Sequence, residues 1–166
     1  TTQSKLYKPI FSQPVDSLLK PMMHNSDNFF AEQVLLMAGN ELYGYMGDDV
    51  IDSLLAKDLD AVPQKPRWVD GSGLSRYNLF TPNDFVFILS KLKDEFGIER
   101  LKNILPASNE GTLKNYFTEI PGRIFAKTGT LGNISCLSGY IITTQGKLLI
   151  FSFLANGYQT GAKIGR

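Results

Sequence analysis

The sequence predicts a mixed α/β (α+β) protein in which helices pack on one antiparallel sheet, and two observations carry that prediction. Apolar residues recur at helical spacing through roughly the first 120 residues. From about residue 121 onward the pattern changes to β-rich runs joined by short turns. No internal repeat interrupts this order, so the expected plan is a helical part over about 1–120 followed by a sheet part over about 121–166.

Val15, Leu18, Leu19, Met22 and Met23 form the first helical stretch, entered through Pro14, and Pro21 is expected to bend or end it. A second helix runs from Asn28 to about Tyr43; Phe29, Val34, Leu35 and Leu36 make it apolar over much of its circumference, which predicts a central position. Val50, Ile51, Leu54, Leu55 and Leu59 place a third within Asp48 to Leu59. Thr81-Pro82-Asn83-Asp84 is a capping signature, so a fourth helix should run to about Phe96 and stop at Gly97. A loop-rich stretch through Pro106, Gly111 and Pro121 follows. The strands are then expected at Arg123 to Lys127, Ile134 to Thr144 and Lys147 to Asn156, with Gln145-Gly146 as a two-residue hairpin turn between the last two.

Composition narrows the class of function. In 166 residues, 17 basic against 16 acidic side chains leave a net charge of +1, which gives no argument for binding to nucleic acid or an anionic membrane surface. The longest apolar run, Leu148 to Ala155, is too short to span a bilayer as a helix. One histidine, His24, and one cysteine, Cys136, about a hundred residues apart offer no metal-ligand cluster, and no cofactor is expected. Cys136 lies in an apolar run and reads as a structural residue rather than a nucleophile.

Two tripeptides carry the chemistry. Lys127-Thr128-Gly129 ends a predicted strand, and Ser26-Asp27-Asn28 precedes a predicted helix about a hundred residues upstream. Either one alone is explained by local structure, the first as a strand end and the second as a helix cap. Together they match two walls of a serine acyl-transfer site. Lys127 can grip a substrate carboxylate, assisted by the hydroxyls of Thr128 and Thr130; Gly129 leaves room for a substrate backbone; the Thr130 backbone N–H can serve as an oxyanion donor. Opposite them, Ser26 can relay a proton to the leaving amine, Asn28 can hold a substrate amide, and Asp27 can brace the turn.

With Asp70-Gly71-Ser72-Gly73-Leu74-Ser75-Arg76, Thr81-Pro82 and Leu137-Ser138-Gly139-Tyr140 in the same order, these runs make the chain resemble the D-alanyl-D-alanine carboxypeptidase/endopeptidase family, the class C low-molecular-mass penicillin-binding proteins. The resemblance covers nearly the whole chain. It implies part of a transpeptidase/β-lactamase-like fold, and an extracytoplasmic, for example periplasmic, enzyme that cleaves peptidoglycan stem peptides through an acyl-serine intermediate and is acylated by β-lactams. The family's Ser-x-x-Lys nucleophile lies far upstream of Ser-Asp-Asn, so residues 1–166 are expected to be the C-terminal part of the penicillin-binding domain and inactive alone. Ser17-Leu18-Leu19-Lys20 satisfies that motif literally, but only five residues separate Lys20 from Ser26, and it is read as an imitation with no nucleophile in this chain.

Within the Asp70 to Arg76 block, an Asp70–Arg76 ion pair is expected, and a catalytic role for Ser72 or Ser75 is not. An unpaired sheet edge and uncovered core surface in a partial fold predict self-association. A non-catalytic peptidoglycan-binding or interaction module is the alternative reading. A β-lactamase is the weaker third, because the resemblance runs through the Asp70 block to carboxypeptidases.

Overall fold

The computed structural model describes residues 10–44, 47 and 49–158. Among them are five α-helices, α1 (Asp16–Asn25), α2 (Asn28–Tyr43), α3 (Asp49–Lys57), α4 (Pro82–Phe96) and α5 (Ile98–Ile104), and three strands, β1 (Ile124–Leu131), β2 (Ile134–Ile142) and β3 (Leu148–Asn156). The strands form one antiparallel sheet in the order β1-β2-β3. None of the described helices is long and apolar enough to cross a membrane.

Alternation along the strands gives the sheet two unlike faces. One row across it is Phe125, Tyr140 and Ile150, and these side chains meet Leu89 and Leu92 of α4, Ile98 and Leu101 of α5, Leu105, and Met23 of α1. Tyr140 is fully buried and donates its hydroxyl to the Leu89 carbonyl at 2.7 Å, so the phenol adds a polar tie to an apolar seat. On the same face the next row turns polar: Lys127, Ser138 and Ser152 lie side by side, and the two serine hydroxyls share a hydrogen bond of 2.9 Å. The opposite face packs Ile124, Ala126, Leu137, Ile141 and Phe151 against Leu113, Phe117 and Ile120. Its β3 end is left exposed at Leu149 and Phe153.

At the outer edge of β1, the segment after α5 lies alongside the first half of the strand. Ser108 donates its backbone N–H to the Ile124 carbonyl and Pro106 accepts from Ala126, at 2.9 and 3.0 Å. The buried Ser108 hydroxyl donates to the Ile120 carbonyl and accepts from the Ile124 N–H. This edge pairing stops at Ala126, one residue before Lys127.

Several expectations need correction. α1 continues through Pro21 to Asn25; the hydrogen bond that proline forgoes is the one to the Ser17 carbonyl, on an exposed turn, and the helix is held elsewhere by a bidentate Arg100–Asp16 pair. The capping box of α4 forms as predicted, with Thr81 and Asp84 exchanging both bonds. α2 is not central: only Gly39 is buried, while Phe29, Met37 and Leu42 are exposed, because among the described helices and strands its main contacts are with α1 and α3 alone, and the sheet does not cover it. The stretch read as loop contains α5 and a short 3₁₀ turn, Gly111–Leu113; seven residues with Gly97 on one side and Pro106 on the other gave too short a periodic signal.

β1 runs four residues beyond Lys127 before a two-residue turn, Gly132-Asn133, brings in β2. The β2–β3 connection is longer than two residues. The Gly146 N–H closes a turn on the Thr143 carbonyl, and Gly146 itself adopts φ +78° before Lys147 pairs back to Thr143.

Gly139 is the tightest point of the sheet, where a Cβ would lie 2.2 Å from the Phe125 carbonyl oxygen and 2.6 Å from the Ala126 Cα. Gly139→Ala should therefore destabilise the protein by about 3 kcal/mol or more, since backbone rather than a flexible side chain must give way. Gly146→Ala meets no atom and should cost only about 1 kcal/mol, the penalty of a left-handed alanine. Urea unfolding midpoints compare the two.

Burial, with Asp94 nearby, pushes the Tyr140 phenol up to about 12. Because the folded value lies above the unfolded one, the protonated phenol contributes stability that is intact below about pH 10 and lost as pH rises toward 12. Tyr140→Phe should flatten that part of the alkaline unfolding curve.

Candidate active site

The two tripeptides meet. Lys127 stands on the helix-covered face of β1, one polar row past Phe125, and its Nζ donates to the Ser26 Oγ at 2.8 Å and to the Thr128 carbonyl at 2.6 Å. A hundred and one residues of sequence separate the partners. Ser26 is exposed at the C-terminus of α1 in a left-handed conformation, φ 54° and ψ 51°, with its backbone N–H on the Met22 carbonyl. Non-glycine residues visit that region at a cost, and here it turns the chain sharply enough for α2 to begin two residues later.

Asp27 holds the other side of this turn. Its Oδ1 accepts from the Phe30 N–H at 3.0 Å, so it caps α2 and in that way braces the Ser26 turn. Asn28 is the first residue of α2 and is exposed beside Ser26. From behind, Gly111 presses on the end of α1, since a Cβ there would lie 2.8 Å from the His24 carbonyl oxygen.

Backbone directions along β1 follow from its pairing. Ile124 and Ala126 turn their polar groups outward to residues 106–108, so alternation turns those of Thr128 and Thr130 to the same outer edge, while Lys127 and Gly129 face β2. Beyond Ala126 no strand among the described residues lies on that edge. Gly129 is exposed, and a side chain there would only touch Cys136, at 3.4 Å from its Cβ. Cys136 is half-buried, and burial pushes its thiol up, away from the reactive thiolate.

Ser17 and Lys20 are exposed on α1 and stand apart from this meeting point. Nine residues of helix separate Ser17 from Ser26, a rise of about 13 Å.

The Asp70 to Arg76 block is a structured loop beside the site. The Asp70–Arg76 ion pair does not form: Asp70 accepts from the Gly73 and Ser75 N–H groups at 2.6 and 2.7 Å and from Asn78 Nδ2 at 2.9 Å, so its oxygens are already engaged. Arg76 instead approaches the Gly132 carbonyl at 3.4 Å. Sequence reasoning missed Glu32, whose two oxygens accept from the Gly71 and Ser72 N–H groups at 3.0 Å each. Its only signal was a carboxylate one turn past Asn28 in a largely apolar helix.

A profile of the D-Ala-D-Ala carboxypeptidase 3 (S13) family matches residues 3–166. The chain belongs to that family. D-alanyl-D-alanine carboxypeptidase DacB of Haemophilus influenzae is 28% identical over 96% of this chain and 35% of its own length. The D-alanyl-D-alanine carboxypeptidase of Actinomadura sp. strain R39 is 32% identical over 92% of this chain and 30% of its own. Penicillin binding protein 4 (dacB) of Haemophilus influenzae, solved in complex with a β-lactam, superposes with a TM-score of 0.75 at 27% identity, over 90% of this chain and 37% of that one. This S13 chain thus spans about a third of the length of these relatives, and its helices and antiparallel sheet are those of the penicillin-binding protein 4 fold.

Removing the Asp27 cap tests how the turn is held: Asp27→Ala should cost about 1 kcal/mol of stability, while Asp27→Asn, which keeps an acceptor, should cost a fraction of that by thermal unfolding.

Proposed function

We propose that the full-length protein is a serine-type D-alanyl-D-alanine carboxypeptidase or endopeptidase acting outside the cytoplasm on peptidoglycan stem peptides, and that residues 1–166 are the C-terminal part of its penicillin-binding domain. The observation that carries this reading is the 2.8 Å contact between Lys127 Nζ and Ser26 Oγ, which brings both motifs into one site. Family membership and the names of the relatives support it.

In this reading a substrate strand lies along the outer edge of β1, where Thr128 and Thr130 turn their backbone groups. Lys127 and the threonine hydroxyls hold the terminal carboxylate, Gly129 gives the peptide room, and Asn28 holds an amide from the opposite wall. A serine from the upstream Ser-x-x-Lys segment attacks the penultimate carbonyl, and its proton passes to the neutral lysine of that segment as the O–C bond forms. The Thr130 N–H stabilises the oxyanion. Ser26 passes a proton to the leaving amine as the C–N bond breaks, releasing D-alanine, and water then hydrolyses the acyl-serine. A β-lactam enters the same site and stays as the acyl adduct.

The chain alone supplies the grip and the relay without the nucleophile, so it is catalytically incompetent by itself. Among the described residues no strand pairs with the outer edge of β3, where Leu149 and Phe153 are exposed, and this supports self-association of the isolated chain. Sedimentation velocity across a concentration series should then show a rising average mass; a monomer at every concentration would count against it.

Incubation with a fluorescent penicillin followed by denaturing electrophoresis is the deciding experiment. The full-length protein should label, Lys127→Ala should label about 10²- to 10³-fold more slowly, and Ser17→Ala should label like the unaltered protein. Residues 1–166 alone should not label. An adduct on the isolated chain that Ser17→Ala abolishes would identify Ser17 as the nucleophile. Binding of peptidoglycan by a full-length protein that never labels would favour the non-catalytic module instead.

A further inference from the structure

We propose that Glu32 is a positioning residue for this site: its carboxylate fixes the Asp70–Arg76 loop as a strap between the two walls and so sets how Ser26 stands relative to β1. Glu32 lies four residues after Asn28, on the same side of α2. It accepts from two consecutive backbone N–H groups, Gly71 and Ser72, each at 3.0 Å, and charge-assisted pairs of this kind fix both distance and direction.

The loop is pressed against the helix at that point. A Cβ on Gly71 would lie 2.7 Å from the Ala31 carbonyl oxygen and 3.1 Å from the Leu35 Cβ, so only glycine permits the approach. The loop is also stiff. Asp70 gathers the Gly73 and Ser75 N–H groups and the Asn78 amide, and Trp68 Nε1 donates to the Asp70 carbonyl at 2.6 Å. Its base is closed by paired bonds between Arg67 and Leu79, at 3.0 and 2.7 Å.

The far end reaches the other wall. Arg76 Nη1 lies 3.4 Å from the carbonyl of Gly132, the residue that follows β1, and Arg76 Nη2 lies 3.1 Å from where a Gly132 Cβ would stand. The strap thus runs from the helix that carries Asn28 to the tip of the hairpin that carries Lys127. Neither wall needs it for its own integrity, since Asp27 caps α2 and β2 pairs the whole of β1. A bidentate carboxylate at one end and a guanidinium at the other make it a spacer, and spacing within about 0.5 Å is what a proton relay requires.

The test uses the full-length protein, and its kinetic arm rests on the peptidase reading above. Because the substrate carboxylate is gripped on β1 while the displaced wall carries Ser26 and Asn28, Glu32→Gln should lower kcat on a peptide ending in D-alanyl-D-alanine about tenfold and raise KM by a smaller factor. Arg76→Gln, at an exposed position, should lower kcat less, and the double variant should fall no further than Glu32→Gln alone, since both act through one strap. Unchanged kcat in a folded Glu32→Gln protein, or losses that multiply in the double variant, would overturn the inference.

A second arm is independent of activity. With Cys136 replaced by serine, spin labels at positions 33 and 133 report the separation of α2 from the hairpin tip. Glu32→Gln and Arg76→Gln should each broaden that distance distribution. An unchanged distribution in both sinks the proposal even if the enzyme is active, whereas broadening in a protein that no penicillin labels would sink only the peptidase reading.

Discussion

Where Lys127 points is decided one residue earlier, at the close approach of β1 to β2. Ala126 is fully buried, and the Gly139 opposite has no room for a side chain against the Phe125 and Ala126 backbone. A strand cannot slip at such a point, because a one-residue shift would bring a side-chain-bearing residue to it and turn Lys127 to the other face. Phe125, locked beside Tyr140 in the core, extends the same constraint to the neighbouring row. The ammonium is thereby delivered to the end of α1, and the rest of the site arranges itself around that delivery.

The transition from core to site takes a single step along the sheet. On the helix-covered face, Phe125, Tyr140 and Ile150 give way to Lys127, Ser138 and Ser152. The two serines satisfy one another, so the polar row carries no unmet hydroxyl into the packed interior. Among the described residues, strand-like pairing at the outer edge of β1 ends at the same level, so the buried core and that pairing stop together.

What was legible in the sequence was whatever is local. The α4 capping box, the glycine stop at residue 97, the three strands and the two tripeptides were all read from short spacings, because caps, turns and alternation depend on near neighbours. The Thr143–Gly146 turn was misjudged because Gly146 closes the turn as its fourth residue rather than holding one of its two central positions. The exposure of α2 was misjudged because periodicity reports how apolar a face is and not what covers it. Glu32 and Asp70 were beyond reach, since each acts by accepting backbone N–H groups, which every residue but proline possesses and no sequence pattern marks. The Asp70–Arg76 pair failed for the same reason: backbone donors close at hand outcompeted a side chain of opposite charge.

The contact between Lys127 and Ser26 also bears on the order in which the protein assembles. Closing a loop of 101 residues costs on the order of 4 kcal/mol of chain entropy, more than one exposed hydrogen bond returns. The two walls therefore cannot find each other first; the hairpins, α4 and the Leu101–Tyr140 core must gather the chain before the pairing becomes favourable. This contact therefore follows collapse of the core rather than leading it. Any ligand that touched both Ser26 and Lys127 would then recognise only molecules whose core has already gathered, so binding there would report on how completely the chain has folded.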